Sequence, residues 1–323
     1  MTLPLPGHYA PERVGELWVE RAGQLAEEAS AWAKTHSIRP ADTDTRRVAA
    51  FGIDCQVSFC HPDGGLFVPG AVEDAQRTLD WLYKNVDQIT QLVLSLDTHV
   101  LHQVFHPAFW RDAEGGHPAP LTVISPDDVR SGRWIPRRDP EACLEYVEKL
   151  AASGRHVLTI WPYHGLLGGM SGALLPAFAE AACFHGFARD TQPFLRQKGS
   201  HPLTEMYSVL APEVRSLGGQ TTGELDEALF SHLMSFDAVY VFGQASSHCV
   251  LTTLNDLADR IRAENPAWMR KVVILEDAMS PVPPPPLDPL PEALDFPRIA
   301  REGLARLADG GMRIARTSDP VAT

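Results

Sequence analysis

With 323 residues, 44% of them hydrophobic, the chain is long enough to bury a sizeable core as one large domain or two small ones. Its formal charge of −13, with 28 Lys and Arg against 41 Asp and Glu and no local cluster of basic residues, excludes nucleic acid as a partner, because a basic footprint is what holds a phosphate backbone. Membrane partners are excluded as well, since no apolar run approaches the roughly 20 residues of a membrane-crossing helix.

The first 45 residues read as a helical extension, with an amphipathic helix over residues 13–33. Glu12, Arg13 and Glu16 stand where a signal peptide would need an apolar stretch, so a cytoplasmic protein is expected. Residues 48–54 form an apolar run that ends on an acid, Asp54, and residues 92–97 repeat the pattern, ending on Asp97. Further strand-like runs cover 156–161, 236–243 and 271–277, while helical periodicity fills 71–85, 140–152, 224–234 and 250–262. Alternation of this kind predicts an α/β fold. Its sheet should be doubly wound and largely parallel with helices on both faces, forming a single domain over residues 46–318. Two segments stand outside the alternation: an inserted excursion at about 107–155, whose first part is rich in Gly, Pro, Asp and Arg, and a Pro-rich loop at 280–297 containing Pro283 to Pro286.

In doubly wound sheets the ligand lies beyond the carboxyl ends of the strands. Asp54, Asp97 and Cys249 all fall at or just past such ends. Cys249 closes a segment in which an apolar strand runs into small residues and then a thiol at the start of a helix, and the helix N-terminus is expected to favour thiolate and lower the thiol pKa. The other four cysteines read as small buried hydrophobes, and five scattered cysteines make no disulfide framework. Asp54 suits either a general base or a turn cap. Asp97-Thr98-His99 places a carboxylate and an imidazole on one side of an extended segment, a spacing that lets both reach one metal ion, with His102, His106 and His164 as further candidates. Lys198 alone would be a solvated charge, and no G-x-G-x-x-G or Walker-type loop supports a nucleotide site.

Taken in order from residue 48 to 314, these pieces resemble the nicotinamidase and isochorismatase-like cysteine hydrolase family. Asp54-x-Gln56-x-x-Phe59, Asp97-x-His99, Trp161-Pro-x-His164, Lys198-Gly199 with Tyr207-Ser208, and Gly243-Gln-Ala-Ser-Ser-His248-Cys249-Val250 are each similar to a family motif. The resemblance implies the family's three-layer α/β/α fold and a triad of Cys249 as nucleophile, Asp54 as general base and acid, and Lys198 as supporting cation. It also implies a cis Gln244–Ala245 peptide that aims the N–H groups of Ala245 and Cys249 at an oxyanion. Asp97, His99 and His164 would hold a divalent metal, zinc foremost, with iron or manganese as alternatives. Phe59, Trp161, Tyr207 and His248 would wall a pocket for a flat heteroaromatic amide. Nicotinamide, hydrolysed to nicotinate and ammonia through a Cys249 thioester, is the first expectation, with a place in NAD salvage. The alternatives are another small amide, carbamoyl or ureido compound, or an inactive metal-holding protein of the same fold, and the family suggests a homo-oligomer. Isochorismatases proper lack the nucleophilic cysteine. The chain departs from the family at Gly165, where nicotinamidases usually carry Cys, and in the long spacing from His99 to His164.

Overall fold

The computed structural model describes residues 2–321. Six strands form the central sheet: β1 (Val48–Ile53), β2 (Gln91–Asp97), β3 (Phe194–Lys198), β4 (Ala238–Gly243), β5 (Val272–Leu275) and β6 (Arg313–Ala315). Every neighbouring pair is parallel, in the order β6-β5-β4-β1-β2-β3. All residues of β1, β4 and β5 are buried, which is why they read as unbroken apolar runs: a parallel strand covered on both faces has no solvent side. The main helices are α1 (Ala22–His36), α2 (Ala71–Lys84), α3 (Pro140–Ser153), α4 (Pro176–Arg189), α5 (Glu227–Met234), α6 (Cys249–Glu264) and α7 (Phe296–Asp309).

From β1 the chain steps outward to β2 and β3, then returns across β1 to β4 and steps the other way to β5 and β6. Because crossovers are right-handed, this reversal puts helices on opposite faces, α2 and α4 on one and α6 and α7 on the other. The contacts agree, with α1, α2 and α4 packed as one layer and α6 against α7 in the other. β1 and β4 are the adjacent strands whose connections leave in opposite directions, so a crevice opens beyond their carboxyl ends. Among the described residues no helix is long and apolar enough to cross a membrane.

Several expectations need correction. Residues 156–161 do not join the sheet. Only Leu158–Thr159 forms a ladder, antiparallel to Val123–Ile124 of the excursion, and the neighbouring backbone of Ile160 and Trp161 bonds to Thr122 and Phe105. The excursion thus supplies the strand's partner and ties the run into a small ribbon. The strand beside β2 is instead β3, whose Leu195, Arg196 and Gln197 are exposed because it is an edge. The N-terminal helix begins at Ala22 rather than near residue 13. Before it the chain is laid onto the body by the ion pair of Arg21 with Glu180 of α4, 2.8 Å, and by the Tyr9 hydroxyl donating to Asp80 at 2.8 Å.

Candidate active site

Four strand ends meet at the crevice. Asp54 follows β1, Asp97 ends β2, Lys198 ends β3, and Cys249 opens α6 after the five-residue loop that leaves β4. The ladder register sets Asp97 opposite Lys198 and Ile53 opposite Gly243, so adjacent strands deliver their polar tips at one level. Asp54 takes a left-handed conformation, φ 50°, which turns the chain at the strand end. Its N–H donates to Ser95 Oγ at 3.0 Å, and Ser95 Oγ donates to its Oδ1 at 2.6 Å.

The Lys198 ammonium is the hub. Its Nζ lies 2.8 Å from Asp97 Oδ1, 3.1 Å from Asp54 Oδ2 and 3.6 Å from Cys249 Sγ, and it donates to the Met206 carbonyl at 2.9 Å. The side chains of Lys198 and Asp54 are fully buried. Burial works against the ammonium, but the carboxylates of Asp54 and Asp97, with the Cys249 sulfur, outweigh it and hold Lys198 well above the usual lysine range. Asp54 is raised, chiefly by burial, which Lys198 counters and Asp97 reinforces. Cys249 is pushed well up as well, by burial first, with Lys198 opposing and Asp54 and Asp97 reinforcing. Burial beside two carboxylates thus runs against the lowered thiol pKa expected from the helix start.

The peptide between Gln244 and Ala245 is cis. Neither the Ala245 N–H nor the Cys249 N–H has a hydrogen-bond partner among the described residues. Both residues line the pocket that holds the sulfur.

The donor atoms of Asp97, His99 and His164 lie within 4.8 Å of one another, all buried. His99 Nε2 is 2.8 Å from Asp97 Oδ2 and 3.2 Å from His164 Nε2. The ring Nδ1 atoms bond backbone carbonyls, Gly199 O at 3.1 Å and Pro162 O at 2.7 Å. A carbonyl only accepts, so each Nδ1 carries the hydrogen, and in a neutral ring Nε2 presents its lone pair to the shared point. Two lone pairs and a carboxylate converging in a buried space fit a cation. Burial keeps His164 below the usual histidine value. His106 stands alongside, its ring centroid 5.9 Å from His99 and 6.2 Å from His164, with a buried Nε2 that has no hydrogen-bond partner among the described residues. Gln56 braces the set by donating to the Asp97 carbonyl at 2.9 Å and accepting the Asp97 N–H at 2.7 Å. Gly165 has a physical reason: at φ 55° a Cβ there would lie 2.7 Å from the Asp97 carbonyl oxygen, so the cysteine usual in nicotinamidases does not fit.

Phe59, Trp161, Tyr207 and His248 are buried and line one pocket with Cys249, Asp97 and His164. Trp161 Nε1 donates to the Tyr207 hydroxyl at 2.8 Å, and its ring stands perpendicular to His248 with centroids 5.1 Å apart. The sequence reading missed Leu66, Glu205 and Val282 on the same walls and Phe296, which packs on His248 at 4.7 Å. Val282 comes from the Pro-rich segment, which therefore supplies part of the pocket wall, and Phe296 opens α7. On the far side of Tyr207 and His248 lies a wider cleft of about 530 Å³, lined in part by Arg155, His156 and Val157 where the excursion ends and the following run begins.

A buried thiol, carboxylate and ammonium thus meet beside a set of side chains that fits a cation, at the carboxyl ends of a doubly wound sheet. No protein-family model matches the sequence, and no curated protein does. Solved structures do: an Acinetobacter baumanii nicotinamidase/pyrazinamidase is 18% identical with a TM-score of 0.52, over 86% of this chain and 99% of that one. The yeast nicotinamidase bound to the inhibitor nicotinaldehyde is 16% identical with a TM-score of 0.52, over 83% of this chain and 99% of that one. The chain therefore has the isochorismatase-like α/β fold of the nicotinamidases.

Proposed function

We propose that the chain is a cysteine amidase that hydrolyses a small amide, nicotinamide to nicotinate and ammonia in the first place, with a related amide, carbamoyl or ureido compound as the alternative. The observation that carries the reading is the Lys198 ammonium held, fully buried, at 2.8, 3.1 and 3.6 Å from Asp97, Asp54 and Cys249, of which Asp97 and Cys249 line the pocket.

A thiol pushed up by burial does not release its proton to water at neutral pH, so the proton must pass to a neighbour as the sulfur reacts. Asp54 is that neighbour. Cys249 Sγ bonds to the amide carbonyl carbon while Asp54 takes its proton, and the N–H groups of Ala245 and Cys249 receive the developing oxyanion. Asp54 then protonates the leaving nitrogen, the C–N bond breaks and ammonia departs, leaving a thioester. Water attacks the thioester with Asp54 as base, the C–S bond breaks, and the sulfur recovers the proton, so the sum is amide plus water to acid plus ammonia. Lys198 remains cationic throughout, offsetting the charge that moves between sulfur and Asp54. Asp97, His99 and His164 would hold a divalent ion, zinc foremost, and bound there it supplies a Lewis-acidic anchor that orients the substrate. The aromatic walls and the absence of a nucleotide loop fit a flat ring.

Ammonia release by the purified protein tests the reading. Turnover of nicotinamide or a related amide that disappears in Cys249→Ala supports it. A folded, metal-loaded protein that releases no ammonia from any amide of the panel would overturn it in favour of a binding protein.

A further inference from the structure

We propose that Glu205 is a specificity-determining residue, accepting a hydrogen bond from an N–H or O–H donor carried by the bound amide. The inference rests on the amidase reading above and names a feature of its substrate. Glu205 is 4% exposed and lines the same pocket as Cys249, Asp97 and His164. One carboxylate oxygen, Oε1, accepts the Met206 N–H at 2.9 Å, and the other has no hydrogen-bond partner among the described residues. The mechanism leaves it unused, since protons pass through Asp54 and the cation ligands are Asp97, His99 and His164.

Buried carboxylate oxygens are completed by donors, and a free one on a pocket wall is completed by what enters the pocket. On the surrounding walls Phe59, Leu66, Ala245 and Val282 present no side-chain donor, the Trp161 indole N–H is taken by Tyr207, and neither Tyr207 nor His248 donates to Glu205. Burial pushes Glu205 up to about 7, so above that pH it favours an amide with a donor facing it and disfavours one with a ring carboxylate, which would meet a like charge in a low-dielectric space. The donor has two sources: the amide NH₂ itself, or an amino or hydroxyl group on the ring.

Glu205→Gln separates these, because the Gln carbonyl can keep the Met206 bond while its NH₂ turns the free acceptor into a donor. Dissociation constants are measured by calorimetry on Cys249→Ala, with and without Glu205→Gln, for nicotinamide, 2-aminonicotinamide and 6-aminonicotinamide. At pH 8, above the value of about 7 to which burial pushes Glu205, loss of one hydrogen bond to a charged acceptor predicts binding weakened about 10- to 100-fold. Weakening of all three compounds identifies the amide NH₂, and weakening confined to an amino derivative identifies the ring donor. Binding of all three within twofold of the parent, or no binding of any at millimolar concentration, overturns the proposal. Thermal unfolding of Glu205→Gln matching the parent excludes a merely structural effect. Ammonia release by the unmodified enzyme is followed in parallel, so failure of the amidase reading shows as binding without turnover.

Discussion

Replacing Lys198 by methionine removes the one ammonium among three groups that carry or develop negative charge. The side chain is fully buried, and its Nζ touches Asp97 at 2.8 Å and Asp54 at 3.1 Å. Methionine fills the space but leaves both carboxylates without their cation, and breaking a buried pair in this way costs about 3–5 kcal/mol. The loss should depend on pH. Asp54 is already raised in the folded protein by burial, and without Lys198 it is raised further, since the ammonium is what opposes that shift. A carboxyl whose folded-state pKa exceeds its unfolded value, about 3.9 for Asp, contributes stability that is present below the unfolded value and is lost as pH rises through the folded one. Asp97 loses its cation at pH 5 and pH 8 alike, so the Lys198→Met deficit should be present near pH 5 and grow as the pH rises and Asp54 is forced to ionise. Urea unfolding of chelator-treated protein at pH 5 and pH 8, compared with the parent, reads this as a midpoint difference at constant slope. Adding Asp54→Asn should recover part of the deficit at pH 8, because one buried charge is gone. A deficit below about 1 kcal/mol, as for an exposed ion pair, or one equal at both pH values, would refute the reasoning.

Cys249, with its thiol pushed well up by burial, should alkylate slowly at pH 7, with a rate that rises about tenfold per pH unit below its pKa. Iodoacetamide labelling resolved by site in the mass spectrometer measures it apart from the partly exposed Cys183, and a plateau below pH 7 would restore the lowered pKa that the helix start suggested. For the cation site, elemental analysis of His99→Ala against the parent should show the divalent metal lost, because one of two converging Nε2 atoms is removed. Equal metal content in both proteins counts against the ligand set.

What was readable in the sequence follows burial. β1, β4 and β5 are covered on both faces, so their composition marks them as strands, and the acid or thiol just past each end is equally visible. β3 was hidden by the opposite cause, as an edge strand whose Leu-Arg-Gln centre faces solvent. Residues 156–161 misled because an apolar run of six looks the same in a central strand and in a two-residue ribbon, and its partner lay in a segment read as irregular. α4 is buried nearly all round, which blurs the periodicity that reveals a helix. α7 lay behind the Pro-rich stretch, although Asp295, whose side chain accepts the Arg298 N–H at 3.2 Å, is the capping residue that marks its start. Lys198 and Glu205 could not be picked out from their own neighbourhoods. A lysine ending an exposed strand and a glutamate in an irregular segment carry no pattern, and only the resemblance pointed to the first.

The division of Asp97 explains why the thiol centre and the cation site belong to one machine. Its Oδ1 holds Lys198 at 2.8 Å and its Oδ2 holds His99 at 2.8 Å, so one carboxylate is shared between the ammonium that offsets the sulfur and the imidazoles that face the cation site. His99 is raised above the usual histidine value because Asp97 outweighs its burial, and Asp97 itself is held well below the carboxylate range: burial raises it, but His99 and Lys198 together prevail. Any change of charge at the imidazoles is therefore felt at Lys198 through a single side chain, across two hydrogen-bonding contacts and no solvent. Gln56 fixes that side chain from behind by gripping the Asp97 backbone on both its N–H and its carbonyl, and Gly199 lets it approach, since at φ 85° a Cβ there would lie 2.7 Å from Asp97 Oδ1. The first motif, the metal-type motif and the lysine motif are thus three parts of one support, each contributing the contact without which Asp97 could not face both ways.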